Sequence, residues 1–169
     1  MGLFNRSISN ESLIIRIAVA KDIPLLINVI EDVFDEFGFI FDANEELPDF
    51  IGFNKYYGNS DRKLFVVEHE NKLAGCGALN ISNNQCEIRR VYVARKFRGQ
   101  GFGKNIVNHL INQAKATDAI KLSLWTDTRF TVAHKLYDSL GFIRFEKVRP
   151  LQDVNHSYEI YYEMTLKQK

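Results

Sequence analysis

The sequence predicts a single α/β domain in which a sheet of mixed strand order carries helices on its flanks and one strand is bulged. Three observations lead there. At 169 residues the chain suits one domain with a sizeable core. From Leu13 to Met164, apolar runs of strand period alternate with amphipathic runs of helical period. Within Gln85–Val93 the period of two slips by one residue: Cys86 and Ile88 share a face, and the next apolar pair is Val91 and Val93. A strand that keeps one buried face through such a slip needs a β-bulge at Arg89-Arg90. The alternative is a fully buried strand with both arginines snorkelling at its edge.

Taken in order, Leu13 to Val19 reads as a strand. Asp22 then caps a helix with Ile23, Leu26, Val29, Ile30, Val33 and Phe37 along one stripe, ended by Gly38. Residues 39–58 are aromatic-rich and irregular, with a short helix around Asp49 to Tyr57. Leu64 to Glu68 and Lys72 to Ile81 form a hairpin across Glu70-Asn71. Gly75 and Gly77 in its second strand suggest close backbone approach. After Gln85–Val93, a helix buries Ile106, Val107, Leu110, Ile111 and Ala114 and ends near Thr117. Ile120 to Trp125 is a strand. Thr128 to Leu140 is a helix burying Val132, Ala133, Leu136, Tyr137 and Leu140, closed by Gly141. Phe142 to Val148 and the alternating Tyr158 to Met164 are the last strands.

Composition narrows the class. Apolar residues make up 46% and charged residues 25%, ordinary for a soluble globular protein. The net charge of +1 offers no electrostatic attraction to nucleic acid or to a membrane. Cys76 and Cys86 lie in expected strands without metal-ligand spacing and read as reduced core thiols. No His pair has metal spacing, so no metal is expected; His69, His109 and His134 read as turn or helix-surface residues. No apolar run approaches a membrane span. Met1 to Asn10 lacks the apolar core of a signal peptide, and Ser7 falls one position late for myristoylation. A cytoplasmic location is therefore expected, with residues 1–12 flexible.

The most informative stretch is Arg98-Gly99-Gln100-Gly101-Phe102-Gly103-Lys104, which follows the strand ending at Val93 and opens a helix. Glycines let a backbone approach a bulky anion, and the helix start supplies unpaired N–H groups and a positive dipole end. Such a cradle suits a pyrophosphate. It is neither of two better-known phosphate loops. Gly103-Lys104 is followed by Asn105 rather than the hydroxyl residue of a P-loop. The third glycine of a dinucleotide fingerprint is absent, with Lys104 and Asn105 leading to Ile106.

Glu87-Ile88-Arg89-Arg90-Val91-Tyr92-Val93 followed by Arg98-Gly99-Gln100-Gly101-Phe102-Gly103 resembles the signature of the GNAT superfamily of acyl-CoA N-acyltransferases. Arg98, Gly101 and Gly103 match its Arg/Gln, two residues, Gly, one residue, Gly/Ala pattern. Ala133-His134-Lys135-Leu136-Tyr137, ending in Leu140-Gly141-Phe142, is similar to the family's other common motif. The resemblance implies a single GNAT-like domain over residues 1–169, with a mixed, mostly antiparallel central sheet and a bulged, splayed strand. It implies transfer of an acetyl group from the cosubstrate acetyl-CoA to a primary amine in a direct ternary complex, and it admits a homodimer.

What the resemblance implies for individual residues follows the matched positions. Backbone N–H groups from Arg98 through Gly99, Gln100, Gly101, Phe102 and Gly103 to Lys104 would hold the CoA pyrophosphate. The Arg98 side chain either reaches a phosphate or is a solvated loop arginine. Val91, Tyr92 and Val93 would pair with the pantetheine arm, and an N–H near Tyr92 or Val93 would polarise the thioester carbonyl. Ala133 belongs to the same cofactor site. Phe130 departs from the family's frequent asparagine, a residue that contacts the arm. Tyr137 would donate a proton to the departing thiolate, against the bland reading that it only packs. Glu87 is the base candidate, against a surface salt bridge with Arg89 or Arg90. Asp127 either caps the following helix or meets the substrate amine.

For the acceptor, residues 39–58 and the Arg149 to Tyr158 connection are expected to build a closed pocket with the first helix. Phe34, Phe37, Phe41, Tyr56, Trp125 and Tyr158 are candidate lining, with Arg149, Asp153, His156 and Ser157 near the mouth. Asp35, Glu36, Asp42, Glu45 and Glu46 make the region acidic, which hints at a cationic amine, although such a charge run is more often a solvated face. Two rivals remain open: a transferase acting on protein termini or lysines, and a non-catalytic acyl-CoA-binding regulatory module.

Overall fold

The computed structural model describes residues 13–166, so the expectation for residues 1–12 lies outside the described residues. In chain order the elements are β1 (Leu13–Ile17), α1 (Ile23–Glu36), α2 (Ala43–Glu46), α3 (Pro48–Ile51), α4 (Phe53–Tyr57), β2 (Arg62–His69), β3 (Lys72–Ser82) and β4 (Gln85–Val93). They continue with α5 (Phe102–Lys115), β5 (Lys121–Asp127), α6 (Thr131–Ser139), β6 (Ile143–Pro150) and β7 (Tyr158–Thr165). The strands form one sheet in the order β1-β2-β3-β4-β5-β7-β6. Every neighbouring pair is antiparallel except β4 and β5, which α5 joins as a parallel crossover.

Local chemistry explains the main turns. Glu70 and Asn71 hold φ of 50° and 60°, the double left-handed turn that matches strand twist in a two-residue hairpin. Gly38 takes φ of 68° just past α1, where a side chain would be strained. Asp22 does not cap α1 as expected. Its carboxylate accepts the Val19 N–H at 2.8 Å and a fork from Arg16 at 2.8 and 2.9 Å, because a short 3-10 turn precedes the helix. Between Asp42 and Gly58 the chain makes three short helices rather than one, interrupted before Pro48 and at Gly52.

Two cores sandwich the sheet. One joins α5 and α6 to the sheet through Ile106, Leu110, Leu122, Tyr137 and Tyr162; the other lies under α1 and the short helices, around Leu26, Ile30, Phe50 and Val66. Cys86 and Ile88, then Val91 and Val93, all belong to the α5 side, so the slipped period keeps one buried face. Both cysteines are free and buried in the core.

Close approach is concentrated on β3. A Cβ at Gly77 would stand 2.6 Å from Ile106 Cγ2 and 2.9 Å from Leu110 Cδ1, and one at Gly75 would meet the Tyr92 carbonyl. α5 lies this close to the sheet because Gly77 is bare, and the bare Gly75 admits the neighbouring β4 backbone.

The histidines are corrected. His134 is buried, its Nε2 2.8 Å from the Asp127 carbonyl. His69 packs its ring on Phe97 and Phe102, and His109 lies edge-on to Phe65 at 4.5 Å. Burial lowers the His109 pKa. α6 begins at Thr131 rather than Thr128, and Val132 is 80% exposed instead of buried.

Replacing Gly77 by Ala should cost about 1–3 kcal/mol through overpacking against α5. Urea unfolding of the variant at neutral pH would measure it, and an unchanged midpoint would contradict this packing.

Candidate active site

β4 is the strand around which the site is built. Its parallel ladder with β5 runs from Gln85–Lys121 to Ile88–Leu124 and stops; β5 continues alongside β7 to Asp127 while β4 turns away. Against β3 the register passes from Ala78–Arg89 to Cys76–Tyr92, which leaves one extra residue in β4. Arg90 holds φ of 56° there. The bulge expected at Arg89-Arg90 is therefore present, and it opens a wedge between β4 and β5.

Arg90 is held by a buried partner. Its Nε and Nη2 donate to Asp49 at 3.2 and 2.7 Å, and Tyr57 donates its hydroxyl to the same carboxylate. Both members of the ion pair are more than four-fifths buried. Burial alone would raise the Asp49 pKa, but the Arg90 guanidinium and the hydrogen bonds hold it below its ordinary value. Thus α3 is tied directly to the bulge.

Past the bulge, Ala94 donates its N–H to Ala74 at 2.8 Å. Strand alternation then turns the Val93 backbone away from β3, and of its two polar groups the C=O accepts from Arg98 Nε, which leaves the N–H for the open wedge.

Two cavities meet at this strand. A cleft of about 410 Å³ runs between the glycine loop, the start of α5 and the start of α6, with Val93, Gly101, Gly103, Lys104, Ala133 and Leu136 among its walls. A cavity of about 170 Å³ lies behind the bulge, with Phe34, Glu46, Glu87, Tyr137, Arg149 and Asp153 among its walls. Val91, Tyr92 and Phe130 line both and form the neck between them. Burial pushes the Tyr92 hydroxyl up to about 12, so this side chain is neutral at physiological pH.

The glycine loop has the geometry of an anion cradle. Gly99 and Gly101 take φ of 71° and 85°. The first intrahelical bond of α5 runs from Asn105 N–H to Gly101 C=O at 3.0 Å, so the N–H groups of Phe102, Gly103 and Lys104 precede the ladder. Gly103 is ordinary helix; its bare α-carbon faces Leu136 across the cleft, where a Cβ would stand 3.4 Å from Leu136 Cδ2. The Phe102 ring is buried against Phe97, so only its backbone can meet a ligand. Gln100 braces the loop by donating to the Lys96 carbonyl.

Arg98 differs from its expected roles. Its N–H bonds to Arg95 C=O, its Nε donates to Val93 C=O at 3.0 Å and its Nη1 to Glu36 at 2.6 Å. The side chain is thus engaged within the protein while still lining the cleft. It staples the loop to β4 and to the end of α1.

On the other side of the neck, Tyr137 is 5% exposed and lines the smaller cavity, with its ring held against Phe142 and Tyr162. No hydrogen bond engages its hydroxyl among the described residues. Burial raises its pKa and keeps it protonated. Glu87 lines the same cavity and stands 3.6 Å from Arg89, so the salt-bridge reading and the cavity position coexist.

Asp127 is not the cap of α6. It accepts the Arg129 N–H at 2.8 Å and the Arg129 guanidinium at 2.9 and 2.6 Å, a turn that delays the helix to Thr131. Arg129 also donates to Ser157 and lies 3.9 Å from the centre of the Phe39 ring.

Of the expected acceptor lining, Phe34, Trp125, Arg149, Asp153 and Ser157 face the smaller cavity. Phe37 lines the larger cleft instead, Phe41 packs on Phe34, Tyr56 lies under Arg62, and Tyr158 and His156 stand outside both. Phe39, which the sequence did not single out, lines the acceptor side. Of the acidic run, Glu46 alone lines it. Glu46 and Asp153 have no cation within ion-pair distance among the described residues, whereas Arg149–Glu159 and Asp127–Arg129 are paired. Burial and the charge of Asp153 raise the Glu46 pKa.

A bulged strand opening a wedge beside a glycine cradle defines a transferase site for an extended, phosphate-bearing thioester. The chain belongs to the acetyltransferase (GNAT) family, whose model matches residues 28–142, and is an acetyl-CoA-dependent N-acetyltransferase. It is 25% identical over 142 residues to the uncharacterized N-acetyltransferase YjgM of Escherichia coli K12, covering 80% of this chain and 85% of that protein. The fold superimposes on a GNAT-family acetyltransferase from Staphylococcus aureus Mu50 with a TM-score of 0.79 at 20% identity, covering 92% and 100% of the two chains. It also matches the PaiA N-acetyltransferase of Thermoplasma acidophilum solved with coenzyme A, with a TM-score of 0.73 at 17% identity over 91% and 99%.

Removing one partner of a buried ion pair strands the other, so Asp49→Asn should cost about 3 kcal/mol at neutral pH. The Asp49 pKa is depressed by folding, so its contribution is complete above the ordinary value of 3.8 and lost as pH falls through the lower folded value. Urea unfolding from pH 7 to pH 2 should therefore show wild type and variant converging in acid.

Proposed function

We propose that the protein transfers the acetyl group of acetyl-CoA directly to the primary amine of a small cationic molecule. The observation that carries this reading is the neck at Val91, Tyr92 and Phe130, with an anion cradle on one side and Tyr137 and Glu87 together on the other. The cradle N–H groups of Phe102, Gly103 and Lys104 would take the pyrophosphate, and Val93, facing the wedge, would pair with the pantetheine arm. This orientation would bring the thioester to the neck, where an N–H near Tyr92 or Val93 would stabilise an oxyanion.

The amine nitrogen attacks the thioester carbonyl carbon, forming the C–N bond. Its surplus proton passes to Glu87, directly or through water. The C–S bond then breaks and the sulfur takes a proton from the Tyr137 hydroxyl, which solvent later restores. Burial keeps Tyr137 protonated until this step, so its hydroxyl is available as the donor when the thiolate departs.

The acceptor class rests on the smaller cavity. Its volume suits a small amine end, the 151–157 connection and α2 supply part of its wall, and Glu46 and Asp153 offer carboxylates without ion-pair partners. A cytoplasmic location accords with the two reduced core thiols.

Thiol release from acetyl-CoA should be measured against polyamines, aminoglycosides, amino acids and short peptides. Release with a small cationic amine is expected; release with peptides alone would overturn the acceptor class. With the responsive amine at saturation, Tyr137→Phe should lower kcat about 100-fold or more while leaving acetyl-CoA binding intact. Unchanged turnover at every pH would remove Tyr137 from the chemistry.

A further inference from the structure

We propose that Phe130 is an acyl-length filter, its ring narrowing the neck so that an acetyl group passes to the acceptor side and longer acyl chains do not. The inference rests on the acetyl-transfer reading above and deepens it by naming the residue that selects the thioester.

Phe130 belongs to the neck, where the cleft and the acceptor cavity share their walls. Its ring is braced from behind. Phe37 meets it edge-on at 4.8 Å between centroids, and Phe39 lies 6.3 Å away. Phe37 and Phe39 stack on each other at 5.4 Å. Phe39 is in turn covered by the Arg129 guanidinium at 3.9 Å, and Arg129 is forked on Asp127 and bonded to Ser157. The backbone of Phe130 is fixed as well: its N–H bonds to Asp127 C=O at 3.1 Å and its C=O accepts the His134 N–H at 3.2 Å. Swinging the ring aside would therefore disturb α1, the 39–41 segment and the Arg129 fork together.

The space beyond the neck is also small. The cavity of about 170 Å³ must hold both the acyl group and the attacking amine. Each added methylene competes with the acceptor for that volume and presses on a ring that cannot yield.

The test is calorimetric binding of coenzyme A, acetyl-CoA, propionyl-CoA and butyryl-CoA to the wild type, Phe130→Ala and the milder Phe130→Leu, with Phe39→Leu to loosen the brace. The wild type should bind butyryl-CoA at least about tenfold more weakly than acetyl-CoA, as expected for excess methylenes at a tight site. Phe130→Ala should bring the two within about twofold, with Phe130→Leu and Phe39→Leu between. Coenzyme A itself carries no acyl chain, so each protein's acyl-CoA affinities are read relative to its own affinity for coenzyme A, which removes any effect of the Phe130 substitutions on the shared cleft wall. A butyryl-to-acetyl ratio near one in the wild type, or one that survives in every variant, overturns the filter while leaving acyl-CoA binding intact. Failure of coenzyme A to bind the folded wild type overturns the acetyl-transfer reading and the filter with it.

Discussion

Arg90 holds a left-handed backbone at the point where β4 parts from β5, and its guanidinium is forked on a buried carboxylate from α3. For a non-glycine residue that conformation costs about 1–2 kcal/mol. The ion pair, the Tyr57 hydrogen bond and the adjoining Phe50 ring surround the arginine and hold it in place. From this constraint the rest follows. The bend frees the Val93 edge, the freed edge makes the wedge, and the wedge lets the cleft and the acceptor cavity meet. Because Asp49 belongs to α3, the same pair also ties that short helix to the bulge.

The polar groups near the site divide sharply between those already engaged and those left open. Arg98, Arg129, Arg149 and Asp127 all have close partners within the protein. Among the described residues, the groups without such partners are the first N–H groups of α5, the Tyr137 hydroxyl and the Glu46 carboxylate, while the Asp153 carboxylate accepts the Ser157 N–H at 2.8 Å but has no cation beside it. Each of these residues lines one of the two cavities. Bonded side chains fix the shape of the two cavities, and the unbonded groups are left facing into them.

Features governed by local chemistry were legible in the sequence. The slip between Cys86-Ile88 and Val91-Val93 foretold the bulge, because one strand face must stay buried. The bare positions Gly75 and Gly77 foretold the closeness of α5, and the glycines of the loop foretold the cradle. What escaped depends on distant partners. Nothing local to Arg98 reveals that Glu36, 62 residues earlier, would hold it. Phe39 looked like loop, and its role arises from stacking on Phe37 and lying under Arg129. The start of α6 was misplaced because helical period alone does not register the Asp127–Arg129 fork, and that shift rotates Val132 out to solvent and buries His134.

The two halves of the sheet share few backbone rungs. Four residue pairs, Gln85–Lys121 through Ile88–Leu124, join β1-β2-β3-β4 to β5-β7-β6, and beyond them the seam is open. An extended cosubstrate arm bonded along the free edge of β4 would act as a partial eighth strand and lengthen that seam. The molecule would then grow stiffer as it loads, with its cosubstrate serving as a mechanical member of the sheet as well as a reactant.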